Sequence, residues 1–250
     1  QIEPWGRDSL RVRATMGPEI DDDLPGALLQ PMATEAQIDI GAQCAVIRNG
    51  AIAAEIGPEE VLVGRSPRAT IRFLNAATGA ELLAESPSYF PRPPARQFKP
   101  VGGDHFRVQA RFKAYDDERI YGLGQHQHGQ LDQKGCVIDL LQRNTEVCIP
   151  FLLSSRGYGF LWNNPAVGRV ELSEDRTRWV AEATRQLDYW ITAGDTPAEI
   201  VEQYVDATGH VPMLPEWAAG FWQCKLRYRT QEELLSVARE HKRRGLPLSV

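Results

Sequence analysis

Cysteine is scarce in this chain of 250 residues: Cys44, Cys136, Cys148 and Cys224 are widely spread and never form a CxxC pair. That spacing signals neither a zinc site nor a dense disulfide framework. A domain of this size needs no covalent staple, so the thiols are expected to be free, buried and held in a reducing, cytoplasmic compartment. Long apolar runs are also missing, and nothing approaches the roughly 18 continuous apolar residues of a membrane span. There is no excess of positive charge, since 28 basic against 33 acidic side chains leave a net charge of -5, which argues against a nucleic-acid partner. Internal repeats and low-complexity tracts are absent as well.

What is present is ordinary for a soluble globular protein, with 42% hydrophobic and 24% charged residues. Leu10, Val12, Ala14 and Met16 alternate with Arg11, Arg13 and Thr15, the period-2 pattern of a strand with one buried face. Asp21 to Pro25 reads as a loop. Asn49-Gly50 between two apolar runs predicts a tight hairpin, because both residues tolerate positive φ. A second hairpin is expected from TIRFLN and ELLAES across AATG. Pro91, Pro93, Pro94 and Pro100 mark an irregular crossing, after which Phe106, Val108, Ala110 and Phe112 alternate with polar residues. Further short strands are expected at 136–141, 148–155, 158–163, 168–173, 177–183 and 186–192. Many short strands punctuated by Gly, Pro and Asn, with almost no helix, predict a mainly β fold, an antiparallel β-sandwich. One helix interrupts near its end, where Thr196 caps, Pro197 suits the first helical position and Glu199 completes a capping box.

After Pro212 and Pro215 the pattern changes. Ala218 to Trp222 predicts a short apolar strand, followed by a polar elbow from Gln223 to Arg229. Thr230 and Glu233 form a second capping box, and Leu234, Val237, Ala238 and His241 make one apolar stripe. Lys242, Arg243 and Arg244 sit where the helix dipole favours positive charge, and Gly245 stops the helix. Leu246 to Val250 then reads as a second apolar strand. This is a βαβ unit beginning, as in the first unit of a (β/α)8 TIM barrel that continues beyond the chain. The expected division is therefore 1–213 for the β-sandwich and 214–250 for the start of the barrel. In such barrels the chemistry lies at the C-terminal ends of the strands, which places the Gln223 to Arg229 elbow there.

The densest polar stretch runs from Tyr121 to Gly135. Gly122 and Gly124 invite a phosphate-loop reading, but no helix opens after them to hold an anion. His126 and His128 would point the same way on a strand, yet without a third ligand in view they read as loop histidines bonded locally. Asp21, Asp22 and Asp23 read as a solvated loop. No metal and no cofactor are called for.

Four segments in order resemble the landmarks of glycoside hydrolase family 31: Tyr121 to Gln125 (YGLGQ), Pro150 to Gly159 (PFLLSSRGYG), Asp188 to Pro197 (DYWITAGDTP) and Pro215 to Gln223 (PEWAAGFWQ). The resemblance spans about residues 100 to 250. It implies an N-terminal β-sandwich followed by a (β/α)8 barrel, and a retaining α-glycosidase that acts on terminal α-xylosides or α-glucosides through two aspartates. Both aspartates are implied on later barrel strands, so no catalytic residue is assigned within 1–250. The alternative is a non-catalytic carbohydrate-binding or interaction sandwich, against which the bare apolar strand at Leu246 to Val250 argues.

The resemblance also implies two substrate-binding segments. One is the loop from Leu141 to Glu146, where Gln142 or Asn144 stands in for the aspartate of some relatives. The other is the elbow, where Leu226 replaces an aromatic and is flanked by Lys225 and Tyr228. Trp217 is expected at the bottom of the barrel and Trp222 nearer its catalytic face. The implied partner is an oligosaccharide or small α-glycoside, with no nucleic acid and no membrane, and a homo-oligomer is allowed.

Overall fold

The computed structural model describes residues 1–31, 33–58, 69–86 and 93–250. They form two compact units, Gln1–Gly209 and His210–Val250. The sequence reading set its division four residues later.

In the first unit the described strands are β1 (Ile2–Pro4), β2 (Ser9–Thr15), β3 (Gln37–Ile40), β4 (Ala45–Asn49), β5 (Ile52–Pro58), β6 (Ala69–Asn75), β7 (Glu81–Ala84), β8 (Arg96–Gly102), β9 (His105–Lys113), β10 (Ile120–Gln125), β11 (Val137–Leu140), β12 (Val147–Ser154), β13 (Tyr158–Leu161), β14 (Gly168–Leu172), β15 (Arg176–Thr184) and β16 (Gln186–Ala193). Every pairing is antiparallel, in three sheets ordered β1-β2-β16-β13-β12-β10, β11-β14-β15-β9-β8 and β3-β4-β5-β6-β7. The mainly antiparallel β architecture is as expected, with a third sheet added to the sandwich.

One core joins the three sheets. Tyr189 of the first meets Phe73 of the third edge-on at 6.3 Å and Phe112 of the second at 5.6 Å, and Phe160 stacks on both Tyr189 and Trp179. Such ring pairs each add about 0.5–1.5 kcal/mol beyond the area they bury. A smaller cluster, Trp5, Phe151, Leu161, Trp190, Ile200 and Ala207, covers the opposite face of the first sheet. Its lid is α1 (Pro197–Thr208), whose N-terminus carries the full capping box of Thr196 and Glu199.

Covering that second face overturns the half-buried reading of β2. Arg11 and Arg13, placed on a solvent face by their alternation, are both buried. Arg13 pairs with Glu3 and Asp22, so Asp22 is an ion-pair partner as well as a loop residue. The Asn49-Gly50 hairpin also shifts by one residue. Asn49 pairs with Ile52, leaving Gly50 (φ +56°) and Ala51 as the turn. Asn49 instead buries its side chain and donates to the carbonyls of Gly6 and Ser9, each at 2.8 Å. Pro100 lies within β8 rather than in a crossing, while Pro91 falls outside the described residues. The four cysteines are unbonded, and none is buried.

In the second unit, Glu216–Ala219 is a 3-10 turn rather than the start of a strand, and α2 spans Gln231–Arg243. A fully extended chain would hold Trp217 and Trp222 roughly 16 Å apart. The turn instead stacks their rings at 5.8 Å, so they do not lie at opposite ends of a strand. A parallel register does begin beyond it. The Val250 N–H donates to the Phe221 carbonyl and the Gln223 N–H to the Val250 carbonyl, the bond pair that sets Trp222 opposite Val250. The second capping box is only half closed: the Thr230 hydroxyl accepts from Glu233 N–H, but the Glu233 carboxylate accepts from Arg229 N–H.

Candidate functional site

The YGLGQ segment, at the front of the densest polar stretch, lies in strand β10. Gly122, Leu123 and Gly124 all have positive φ, at +97°, +66° and +100°. They make a bulge against β12, where the register shifts between Gly122 and Gly124. A Cβ on Gly124 would stand 2.0 Å from the Val147 carbonyl oxygen, and one on Gly122 would stand 2.8 Å from that of Phe151, so both positions admit only glycine. The bulge buries Leu123 fully in the core, and pairing with β12 resumes at Gly124 and Gln125.

Two loops lie at this end of β10 and β12. In the first, the His126 ring bonds the Leu123 carbonyl at 2.8 Å, and His128 Nδ1 accepts from Gln130 N–H at 3.1 Å. The two rings stack at 5.9 Å. These histidines are bonded locally, as their sequence context predicted. The second loop joins β11 to β12 and carries Gln142 and Asn144. Gln142 is spent on the loop itself, donating to the Glu146 carbonyl and accepting from Cys148 N–H. Arg143 ties Asp139 at 2.8 Å to Glu146 at 3.4 Å. Asn144 is exposed at the tip, with an amide donor and acceptor suited to a sugar hydroxyl. Gln127 links the two loops by donating to the Thr145 hydroxyl at 2.8 Å, a connection that polar composition alone gave no means to find.

In the second unit, Lys225 forms an ion pair with Glu233 and lies 5.7 Å from the Tyr228 ring centre. The hydrogen bond from Lys225 holds the Glu233 carboxyl below its usual range. Leu226 between them is 94% exposed. The elbow thus presents one exposed apolar side chain beside a Lys225–Glu233 ion pair.

Two carboxylates of the first unit, Glu118 and Asp21, are engaged inside the protein. Glu118 accepts from Ser154 and Tyr158 hydroxyls at 2.6 and 2.7 Å, and burial together with that carboxylate pushes the Tyr158 phenol well up. Asp21 bonds Arg185 at 3.0 Å. A cavity of about 300 Å³ is bordered by Leu24, His105, Asn163, Gln186 and Asp188, and contains none of the four predicted binding residues. Its buried polar groups are engaged inside the protein: Asn163 bonds Asp188 and Ala27 N–H, and Gln186 bonds both backbone groups of Asp21.

Comparison with known proteins gives a consistent picture. Residues 62–171 match the glycosyl hydrolase 31 N-terminal galactose mutarotase-like domain, and residues 211–250 match the glycosyl hydrolases family 31 TIM-barrel domain. The chain is 43% identical over its whole length to the uncharacterized family 31 glucosidase ORF2 of Pseudescherichia vulneris, covering 49% of that protein. It is 40% identical over 58% of its length to the α-xylosidase of Saccharolobus solfataricus, covering 21% of it. Among solved structures, an α-xylosidase from a soil metagenome complexed with xylose superposes with TM-score 0.86 at 48% identity, over 98% of this chain and 37% of that one. A xylosidase from Aspergillus niger gives 0.84 at 29% identity, over 99% and 36%. The chain therefore spans half or less of the length of these relatives.

Proposed function

Because this chain belongs to glycoside hydrolase family 31, we propose that the complete protein is a retaining, exo-acting α-glycosidase whose preferred substrate is a terminal α-xyloside. The observation that carries the sugar preference is the 48% identity to an α-xylosidase complexed with xylose, across nearly the whole of this chain. The glucosidase of Pseudescherichia vulneris, aligned over all of it, favours α-glucosides as the second reading.

In this proposal two aspartates outside residues 1–250 do the chemistry. One attacks the anomeric carbon while the other protonates the leaving oxygen and then activates water, with the carboxyls ~5–5.5 Å apart. The chain's own part is binding. Asn144 offers an amide to a sugar hydroxyl, and Leu226 offers an apolar contact beside Lys225. A cytoplasmic location belongs to the same proposal, supported by the four free thiols.

Aryl α-xyloside, α-glucoside and α-galactoside assays of the complete protein test the reading, with the product anomer followed by NMR. The expected result is fastest turnover of the xyloside with retention, and no turnover by residues 1–250 alone. An inverted product would refute the mechanism. Activity of the short chain would refute the assignment of the catalytic pair, and binding without any turnover would favour the non-catalytic module.

A further inference from the structure

Thr145 has φ +72°, in the left-handed region that β-branched side chains avoid. Asn or Gly would occupy that position with less strain, so what a threonine adds there is its hydroxyl. That hydroxyl accepts the hydrogen bond from Gln127, 18 residues earlier in the neighbouring loop. The other ties on the turn are local. Gln142 bonds Glu146 and Cys148, Arg143 bonds Asp139 and Glu146, and Glu146 N–H bonds the Arg143 carbonyl at 3.3 Å. They fix the shape of the loop on its own hairpin. Gln127 ties it to a second support, whose base is the His126 bond to Leu123 beside the glycine bulge.

We propose that Gln127 is a positioning residue for substrate binding, holding the strained Thr145 so that the adjacent Asn144 is presented to the sugar. The proposal rests on the reading of Asn144 as a substrate contact. Strain retained beside a binding residue and countered by a bond from another loop is what pre-organisation of a contact requires.

The test uses the complete protein and steady-state kinetics on whichever aryl α-glycoside it turns over fastest. Gln127→Leu and Thr145→Val remove the same bond and should each lower kcat/KM by roughly 3- to 10-fold, and together no further than either alone. In an Asn144→Ala background Gln127→Leu should cost almost nothing more. Gln127→Glu should restore most of the loss, because the Thr145 hydroxyl can donate to a carboxylate. Thr145→Gly should lower kcat/KM while the Tm stays level or rises, a divergence that a merely structural bond would not give. A sensitive Asn144→Ala with a silent Gln127→Leu, or losses that multiply, would overturn this inference alone. A silent Asn144→Ala would overturn the underlying reading and this inference with it.

Discussion

Arg11 and Asp188, 177 residues apart in sequence, meet in a two-point ion pair beneath the Trp5 ring. Arg11 Nε reaches one carboxylate oxygen at 3.0 Å and a terminal nitrogen reaches the other at 2.6 Å, while Asn163 donates to the second oxygen at 2.9 Å. The pair binds β2 to β16 on the face that α1 covers.

Removing one member of a buried pair leaves the other charged without a partner. Asp188→Ala should therefore destabilise the first unit by about 3–5 kcal/mol, whereas replacing both by apolar residues of similar volume should cost much less. Thermal and urea melts of the single and double variants check this. A single variant as stable as the wild type would show that solvent reaches the Arg11 guanidinium.

Gly124→Ala sets a Cβ against the Val147 carbonyl at a backbone angle that alanine rarely adopts. The expected cost is about 3 kcal/mol or more, from the clash and strain combined. Circular dichroism should show a lowered Tm, and proteolysis should open the His126 loop first. Retention of wild-type stability would mean that β12 can move away from the bulge.

Glu81 accepts from Arg72, Lys113 and the Tyr115 hydroxyl. Burial raises its pKa, but these bonds outweigh burial and the carboxyl titrates below its usual 4.5. A depressed folded-state pKa contributes stability that is fully present above the unfolded value and is lost as pH falls through the folded one. Wild-type stability should thus fall below about pH 4.5, and Glu81→Gln should be less stable at neutral pH with a shallower acid limb. Parallel acid limbs for the two proteins would contradict this.

If Asn144 contacts the sugar as proposed, Asn144→Ala removes that hydrogen bond and nothing from the core, since the side chain is exposed. Its kcat/KM should fall by roughly 10- to 100-fold, about 1.4–2.7 kcal/mol, with little change in Tm. Unaltered kinetics with a lowered Tm would instead assign the side chain to bracing the loop.

Local pattern alone determined much of the architecture. Period-2 alternation placed β2 and β9, short runs between turn residues placed the strands from β11 to β16 within a few residues, and capping chemistry placed both α-helices, because these signals need only near neighbours. The ordered landmark segments pointed to the family. Tertiary structure decided what each side chain does. Arg11 and Arg13 are buried because α1 and the N-terminal residues cover a face that alternation marked as wet. Gly122 and Gly124 serve a bulge, not an anion, because β12 passes within contact of their backbone. Gln142 and Gln127 look alike in sequence, yet one braces its own loop and the other reaches across to Thr145. A hydrogen bond between two loops depends on where their strands pair, and that register is a property of the folded sheets rather than of either segment.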